Sequence, residues 1–193
     1  MRDNQQSKLY KVERIWYNAY EKCSPKDLNF TDERQASNYG TWIWIDFKNK
    51  IYPQSWRTQV PRVRVEFKNR GGWSYAMNSN GWYNDRKTHA KYKWVRLSPF
   101  HRNFHILIHE MAHHLVPKYN NNGDKTESHG QEFAKILMLL LAHYLDYDIE
   151  YMCKIANEHN LKYSCDDLYV NKKFNQLVQR DIKKQADRLR GVA

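Results

Sequence analysis

The sequence has few cysteines and no long apolar run. Its 193 residues include only Cys23, Cys153 and Cys165, and no two of these form a C-x-x-C pair. An odd count without paired spacing argues against a disulfide framework and against a cysteine zinc ribbon. The longest aliphatic run, Ile136–Ala142, is too short to span a membrane. The polar, charged first residues lack the apolar segment of a secretory signal, so we expect a soluble, cytoplasmic protein without a membrane partner.

Acidic residues are also in the minority, and the imbalance is local. The formal net charge is +11. Residues 51–100 carry ten basic residues against two acidic ones, a net of +8, whereas residues 101–145 are balanced. Eight tryptophans and tyrosines are interleaved with these basic residues. Such a mixture suits single-stranded DNA, because cations follow phosphates and aromatic faces stack on bases.

The residues that we assign to such a substrate-binding or nucleic-acid-binding surface are Arg62, Arg64, Trp73, Trp94 and Arg96. The alternative is an ordinary sheet. Its aromatic side chains would then build a core, and its basic side chains would be solvated on the other face.

The first half of the chain is predicted to form one helix and a small sheet. Lys8–Cys23 places apolar residues at helical spacing. Thr41–Phe47 alternates as a strand does. Arg62–Phe67 and Trp73–Met77 are predicted to form a hairpin, because turn-forming residues separate them. Tyr92–Pro99 is predicted to be a further short strand.

The second half is predicted to be helical. Phe104–Leu115 follows the i, i+3, i+4, i+7 pattern of an amphipathic helix. Ser128 and Gln131 have the spacing of a capping box, which predicts that the next helix begins at His129. Two further helices are predicted, at about Asp148–His159 and Val170–Leu189.

The segment "HEMAHHL" carries two histidines with the spacing of metal ligands. His109 and His113 lie four residues apart on a predicted helix, so both can point at one ion. Zn²⁺ takes imidazole nitrogens in a tetrahedral array, and a catalytic site needs a third protein ligand and a water molecule. His129, at the start of the next predicted helix, is the best third ligand. Glu110 would stand beside the water and take its proton.

Other residues could contribute instead. Glu127 and Glu132 flank His129, and either could be the third ligand. His105 lies one helical turn before the pair of histidines and could line the cleft. His114 points about 100° away from that pair, so we expect it at the surface or behind the ligands.

These segments resemble the SprT-like zinc metallopeptidases, the family that includes Spartan, a protease of DNA–protein crosslinks. The family pattern is HExxH followed, after a loop, by a third histidine in H-G-x-x-F. The matching residues here are His109, Glu110, His113, His129, Gly130 and Phe133. The similarity covers about Arg62–Leu141. It does not include the cysteine zinc ribbon with which many relatives bind DNA.

The resemblance implies an α+β fold with a minigluzincin-like core. That core, residues 1–145, would contain an N-terminal helix, a small and mostly antiparallel sheet and two helices that carry the zinc ligands. Residues 146–193 would form a helical extension packed on it. Zinc peptidases of this type hold an extended substrate along the edge of a sheet, and Tyr92–Ser98 is the predicted edge strand.

The resemblance further implies an endopeptidase with one catalytic Zn²⁺. His109, His113 and His129 would bind the ion, and Glu110 would be the catalytic acid and base. The substrates would be proteins, including proteins bound or crosslinked to DNA. The main alternative is a nucleic-acid-binding protein with a structural or inactive zinc site. A third interpretation is zinc-dependent hydrolysis of a bond other than a peptide bond.

Overall fold

The computed structural model describes residues 5–21, 29–50, 62–70, 72–77, 83–84, 91–116 and 126–164. The helices are α1 (Gln6–Glu21), α2 (Glu33–Lys50), α3 (Phe104–Leu115), α4 (Gln131–Leu145) and α5 (Ile149–Glu158). The strands are β1 (Arg62–Phe67), β2 (Tyr75–Met77), β3 (Tyr83–Asn84) and β4 (Lys91–Leu97). The predicted α+β class is confirmed. The predicted helix Val170–Leu189 lies outside the described residues. Within the described ranges no helix has the length and apolarity to cross a bilayer.

The sheet is mixed and centres on β4. β1 runs parallel to β4 over its whole length, from Arg62 beside Tyr92 to Phe67 beside Leu97. The short strands β2 and β3 pair antiparallel with the other side of β4. The longest pairing is therefore parallel, which differs from the expectation of a mostly antiparallel sheet.

Two predictions about this sheet are wrong. β1 and β2 do not form a hairpin, because β4 lies between them. β4 is consequently the central strand and not the edge strand. The turn residues between β1 and β2 favoured a hairpin. Strand order, however, depends on which apolar faces become buried together. β1 can pair with β4 over six residues, whereas β2 has only three. The edge near α3 is formed by β2.

The predicted strand Thr41–Phe47 is also wrong, because these residues belong to α2. The backbone N–H of Gln35 donates to the side chain of Asp32 at 2.7 Å, which caps the start of the helix. The buried side of α2 follows helical spacing and comprises Ala36, Gly40, Ile43, Trp44 and Phe47. Aromatic and β-branched residues favour strands, but burial of this stripe overrides that weak local preference.

Side chains of α2 cover the outer edge of β1. Three strand N–H groups donate to them: Val63 to Thr41 Oγ1 at 2.9 Å, Val65 to Ser37 Oγ at 2.9 Å and Phe67 to Glu33 Oε1 at 2.7 Å. The acceptors are four residues apart on the helix and the donors are two residues apart on the strand. Both spacings correspond to roughly 6–7 Å, so each donor lies opposite an acceptor. These N–H groups at the outer edge of β1 thus have hydrogen-bond acceptors on α2. The opposite edge of the sheet, at β2, lies beside α3.

Gly40 permits the close approach of α2 to β1. A Cβ atom at this position would lie 2.8 Å from Val63 Cγ1. We therefore expect Gly40→Val to lower the free energy of unfolding by about 2 kcal/mol, because the larger side chain must push the helix from the strand. Urea denaturation measures this change. Asn38→Val, at an exposed position of the same helix, controls for the helix propensity of valine. An equal effect of both substitutions would contradict the steric explanation.

The core places α3 at the centre of the molecule. α3 packs against α2, α4, β2 and β4, and α1 reaches the same region by packing on α5. The side chain of Gln5 donates to the backbone carbonyl of Lys162 at 3.2 Å, which ties the start of α1 to the segment after α5. This docking lays one side of α1 across the histidines of α3.

Candidate metal centre

Three histidine side chains meet at one point between α3 and α4. His109, His113 and His129 each direct one ring nitrogen to this point, and these atoms lie within 4.8 Å of one another. Nitrogens bound to one tetrahedral Zn²⁺ stand roughly 3.4 Å apart, so the three rings need only a small inward movement to share an ion. The structure thus brings together the three residues predicted as ligands, and they could hold a metal ion.

His129 precedes the helix in which it was predicted. α4 begins at Gln131, with Gly130 as the N-cap and no side-chain capping bond, so the predicted capping box of Ser128 is wrong. The N–H of Gly130 donates to the carbonyl of Glu127 at 3.2 Å and closes a tight turn. A Cβ atom at position 130 would lie 3.0 Å from Glu127 Cβ, so the turn favours glycine. This turn, not a helical turn, directs His129 toward α3.

Phe133 forms the buried floor of the three histidines. Its ring centroid lies 5.2 Å from His109, 4.4 Å from His113 and 5.0 Å from His129. On the other side, the half-exposed ring of Tyr10 lies 5.8 Å from His109 and 5.4 Å from His129. Nothing in the sequence pattern of α1 marks Tyr10 as a residue of this site. Phe133 therefore contacts all three imidazoles, whereas Tyr10 contacts those of His109 and His129.

Glu13 of α1 contacts His109, the first of the three histidines. Both of its carboxylate oxygens lie 3.0 Å from His109 Nδ1, and one lies 3.4 Å from His105 Nε2. Burial alone would raise the pKa of Glu13, but the two histidines hold it well below its usual value. With Nδ1–H donating to Glu13, His109 Nε2 keeps its lone pair for a metal ion. Glu13 lies 96 residues from His109 in the sequence, so no local pattern marks it as the partner of that histidine.

The other candidate ligands have different positions. His105 lines the cavity beside the site, as expected, and its Nδ1 is 3.2 Å from the hydroxyl of Tyr147. His114 is buried, and its Nε2 donates to the carbonyl of Trp94 at 3.1 Å, so, of the two expected positions, the one at the surface is excluded. Glu127 and Glu132 are not part of the ligand cluster.

Glu110 is a buried carboxyl group beside the ligands. Burial raises its pKa to about 7, although the charge of His109 and a hydrogen bond donated by the backbone of Ala76 both act in the opposite direction. Burial also lowers the pKa of His113, as do its histidine neighbours, which favours the neutral imidazole that binds metals. The contact with Ala76 sets the edge strand β2 next to Glu110.

An open cavity of about 1030 Å³ adjoins this centre. His109 and Glu110 lie on one side of it, residues of α1 form another wall, and Trp73 and Phe100 line it as well. A cavity of this volume is large enough for a ligand the size of a short peptide. Trp73 was grouped with the predicted nucleic-acid-binding residues, but the structure places it at this cavity.

The remaining residues of that predicted set share the outer face of the sheet. Arg62, Arg64, Trp94 and Arg96 alternate with the buried residues of β1 and β4. The guanidinium of Arg96 lies 4.5 Å from the ring centroid of Trp94. Glu66 pairs with both Arg64, at 3.0 Å, and Arg96, at 3.1 Å. Tyr83 and Tyr92 extend this face, with their ring centroids 5.9 Å apart.

Comparison with known proteins gives no relative. No protein-family model, curated protein or solved structure matches this chain. The interpretation of the site therefore depends on its own geometry and on the short motif.

Proposed function

We propose that this chain is a zinc-dependent endopeptidase with a SprT-like, minigluzincin-type core. The observation that carries the proposal is the cluster of His109, His113 and His129 with the buried carboxyl of Glu110 beside it. Three imidazole nitrogens suit Zn²⁺, whereas Mg²⁺ and Ca²⁺ prefer oxygen ligands. Three protein ligands also leave one position open, as catalytic zinc sites do. The adjoining cavity gives a substrate access to the site.

The chemistry follows from the surroundings of Glu110. Bound Zn²⁺ would polarise the carbonyl of the bond to be cleaved and lower the pKa of a water molecule at the site. Glu110 would accept the proton of the attacking water and deliver it to the leaving amine. The backbone of Ala76 keeps this carboxylate oriented by its hydrogen bond. The substrate backbone extends along β2, the edge strand next to Glu110.

Removal and return of zinc test the proposal. We expect zinc-loaded protein to cut an unfolded protein substrate, chelation to stop the cleavage, and added Zn²⁺ to restore it. The assay is repeated with a DNA-binding protein as substrate, with and without single-stranded DNA. Fragments that appear only with DNA would identify DNA-associated proteins as the substrates. If zinc binds and no substrate is cut under any of these conditions, the proposal is wrong.

A second candidate function is supported by the outer face of the sheet. Its exposed arginines Arg62 and Arg64, with Arg96 and the aromatic rings of β3 and β4, combine phosphate-binding and base-stacking groups on one surface. On this alternative the chain binds single-stranded nucleic acid, and its metal site is structural. The same surface would serve the proposed peptidase by bringing DNA-bound substrates to it.

Neutralising two arginines measures the contribution of this face. We expect Arg64→Gln with Arg96→Gln to weaken single-stranded DNA binding about tenfold at moderate salt. The slope of log affinity against log salt should fall by about 1.4, because each phosphate contact contributes roughly 0.7 on a single strand. Lys154→Gln, at an exposed position of α5, is the control. An unchanged affinity and slope would show that DNA does not bind this face.

A further inference from the structure

The two most exposed large apolar side chains lie at the cavity of the metal centre. Trp73 is 81% exposed and Phe100 is 80% exposed, whereas the other exposed large apolar residues in the described part of the chain do not exceed 46%. Both line the cavity that contains His109 and Glu110. Exposing such large aromatic surface is costly in water, and exposed aromatic residues at a concave site commonly mark the binding of an apolar group.

The wall formed by α1 is basic. Lys11 and Arg14 line the cavity and are exposed, and no residue in the described ranges forms an ion pair with either. The cavity also contains the carboxyl groups of Glu13 and Glu110, but both are buried. Glu13 in addition contacts two histidines. Neither group therefore neutralises the exposed positive charge of Lys11 and Arg14. The mouth of the cavity therefore attracts acidic groups.

The position of Trp73 relates the aromatic part of the cavity to the bond that the proposed peptidase would cleave. Trp73 lies three residues before Ala76, whose backbone donates to Glu110. An extended chain advances roughly 3.3 Å per residue, so the three residues from Ala76 back to Trp73, two of which precede β2, span at most about 10 Å. A substrate strand pairing antiparallel with β2 would place a residue two or three positions after the cleaved bond beside Trp73.

We infer that this cavity selects unfolded protein segments with a large apolar side chain two or three positions after the cleaved bond and an acidic residue nearby. The apolar side chain packs between Trp73 and Phe100, and the acidic residue pairs with Lys11 and Arg14. Basic segments are poorer substrates. This inference rests on the proposed peptidase function, because it describes the specificity of the same site.

Binding and cleavage are measured separately to test the inference. Fluorescent peptides carry phenylalanine with glutamates, alanine with glutamates, or phenylalanine with lysines. Their affinities are measured by fluorescence anisotropy with zinc-loaded Glu110→Gln protein, because this variant is expected to bind the peptides without cleaving them. We expect the first peptide to bind about tenfold more tightly than either of the others. Trp73→Ala should remove the preference for phenylalanine, and Lys11→Glu with Arg14→Glu should reverse the preference for charge.

The control variants are Tyr151→Ala and Lys154→Glu on α5, which lie outside the cavity. Wild-type protein then cleaves the same peptides, and mass spectrometry locates the cut. Cleavage with no preference among the peptides, and unchanged affinities in the cavity variants, would overturn the inference and leave the peptidase function standing. Selective binding by the cavity without cleavage by wild type would support the selectivity and overturn the peptidase function.

Discussion

Glu110→Gln is expected to lower the rate of peptide cleavage about a thousandfold without weakening the binding of zinc. In the proposed mechanism the carboxylate accepts a proton from water and returns it to the leaving amine, and a carboxamide can do neither. The three histidine ligands are unchanged. The amide oxygen of glutamine can still accept the hydrogen bond from the backbone of Ala76, so the local geometry should persist.

The measurement compares turnover and zinc content in parallel. Glu132→Gln is the matched control, because Glu132 carries a carboxyl group on α4 near His129 but is not part of the ligand cluster. It should retain activity near that of wild type. Equal turnover of wild type and Glu110→Gln, at equal zinc occupancy, would exclude Glu110 as the catalytic base and favour a structural role for the metal.

The same substitution should not destabilise the zinc-free protein. The pKa of Glu110 is raised on folding to about 7, so the carboxyl group favours the folded state when protonated and this stability is lost as the pH rises through 7. A neutral glutamine avoids the cost of ionisation in a buried position. We therefore expect zinc-free Glu110→Gln to be at least as stable as wild type above pH 7, as would fit a buried carboxyl group kept for the proposed activity at a cost in stability.

The sequence predicted those parts of the molecule that depend on local patterns. The regular apolar stripe from Phe104 to Leu115 predicted a helix, and α3 spans these residues, with the side chain of Asn103 capping its start in the structure. The spacing of His109 and His113 determines that both lie on one face. His129 was predicted as the third ligand from its place at the start of the next helix and from the motif, although the turn that carries it differs from the predicted helix start.

The errors concern contacts between distant segments. The burial of α2 against β1, and the insertion of β4 between β1 and β2, depend on which surfaces pack together after the chain folds. The helix and strand preferences of individual residues do not predict such packing. Glu13 illustrates the same limit within the site: on α1 it is one of several charged residues, and only the docking of that helix onto α3 brings it to His109.

Removing this carboxylate gives the second large expected effect. Glu13→Ala should weaken the affinity for Zn²⁺ about 10–100-fold, because the partner of a ligating histidine fixes its tautomer and raises its basicity. The negative charge favours both a proton and a zinc ion at His109, but it acts more strongly on the doubly charged ion. Glu13→Gln, which keeps a hydrogen-bond acceptor without the charge, should give an intermediate affinity.

Competition with a chromophoric chelator at one fixed pH measures these affinities. Val12→Ala is the matched control, because it removes buried volume from the neighbouring position of α1 without touching His109. If Val12→Ala weakens zinc binding as much as Glu13→Ala does, the effect comes from looser docking of α1 and not from the carboxylate. If only the Glu13 variants lose affinity, with glutamine between alanine and wild type, the N-terminal helix contributes directly to the metal centre by orienting His109.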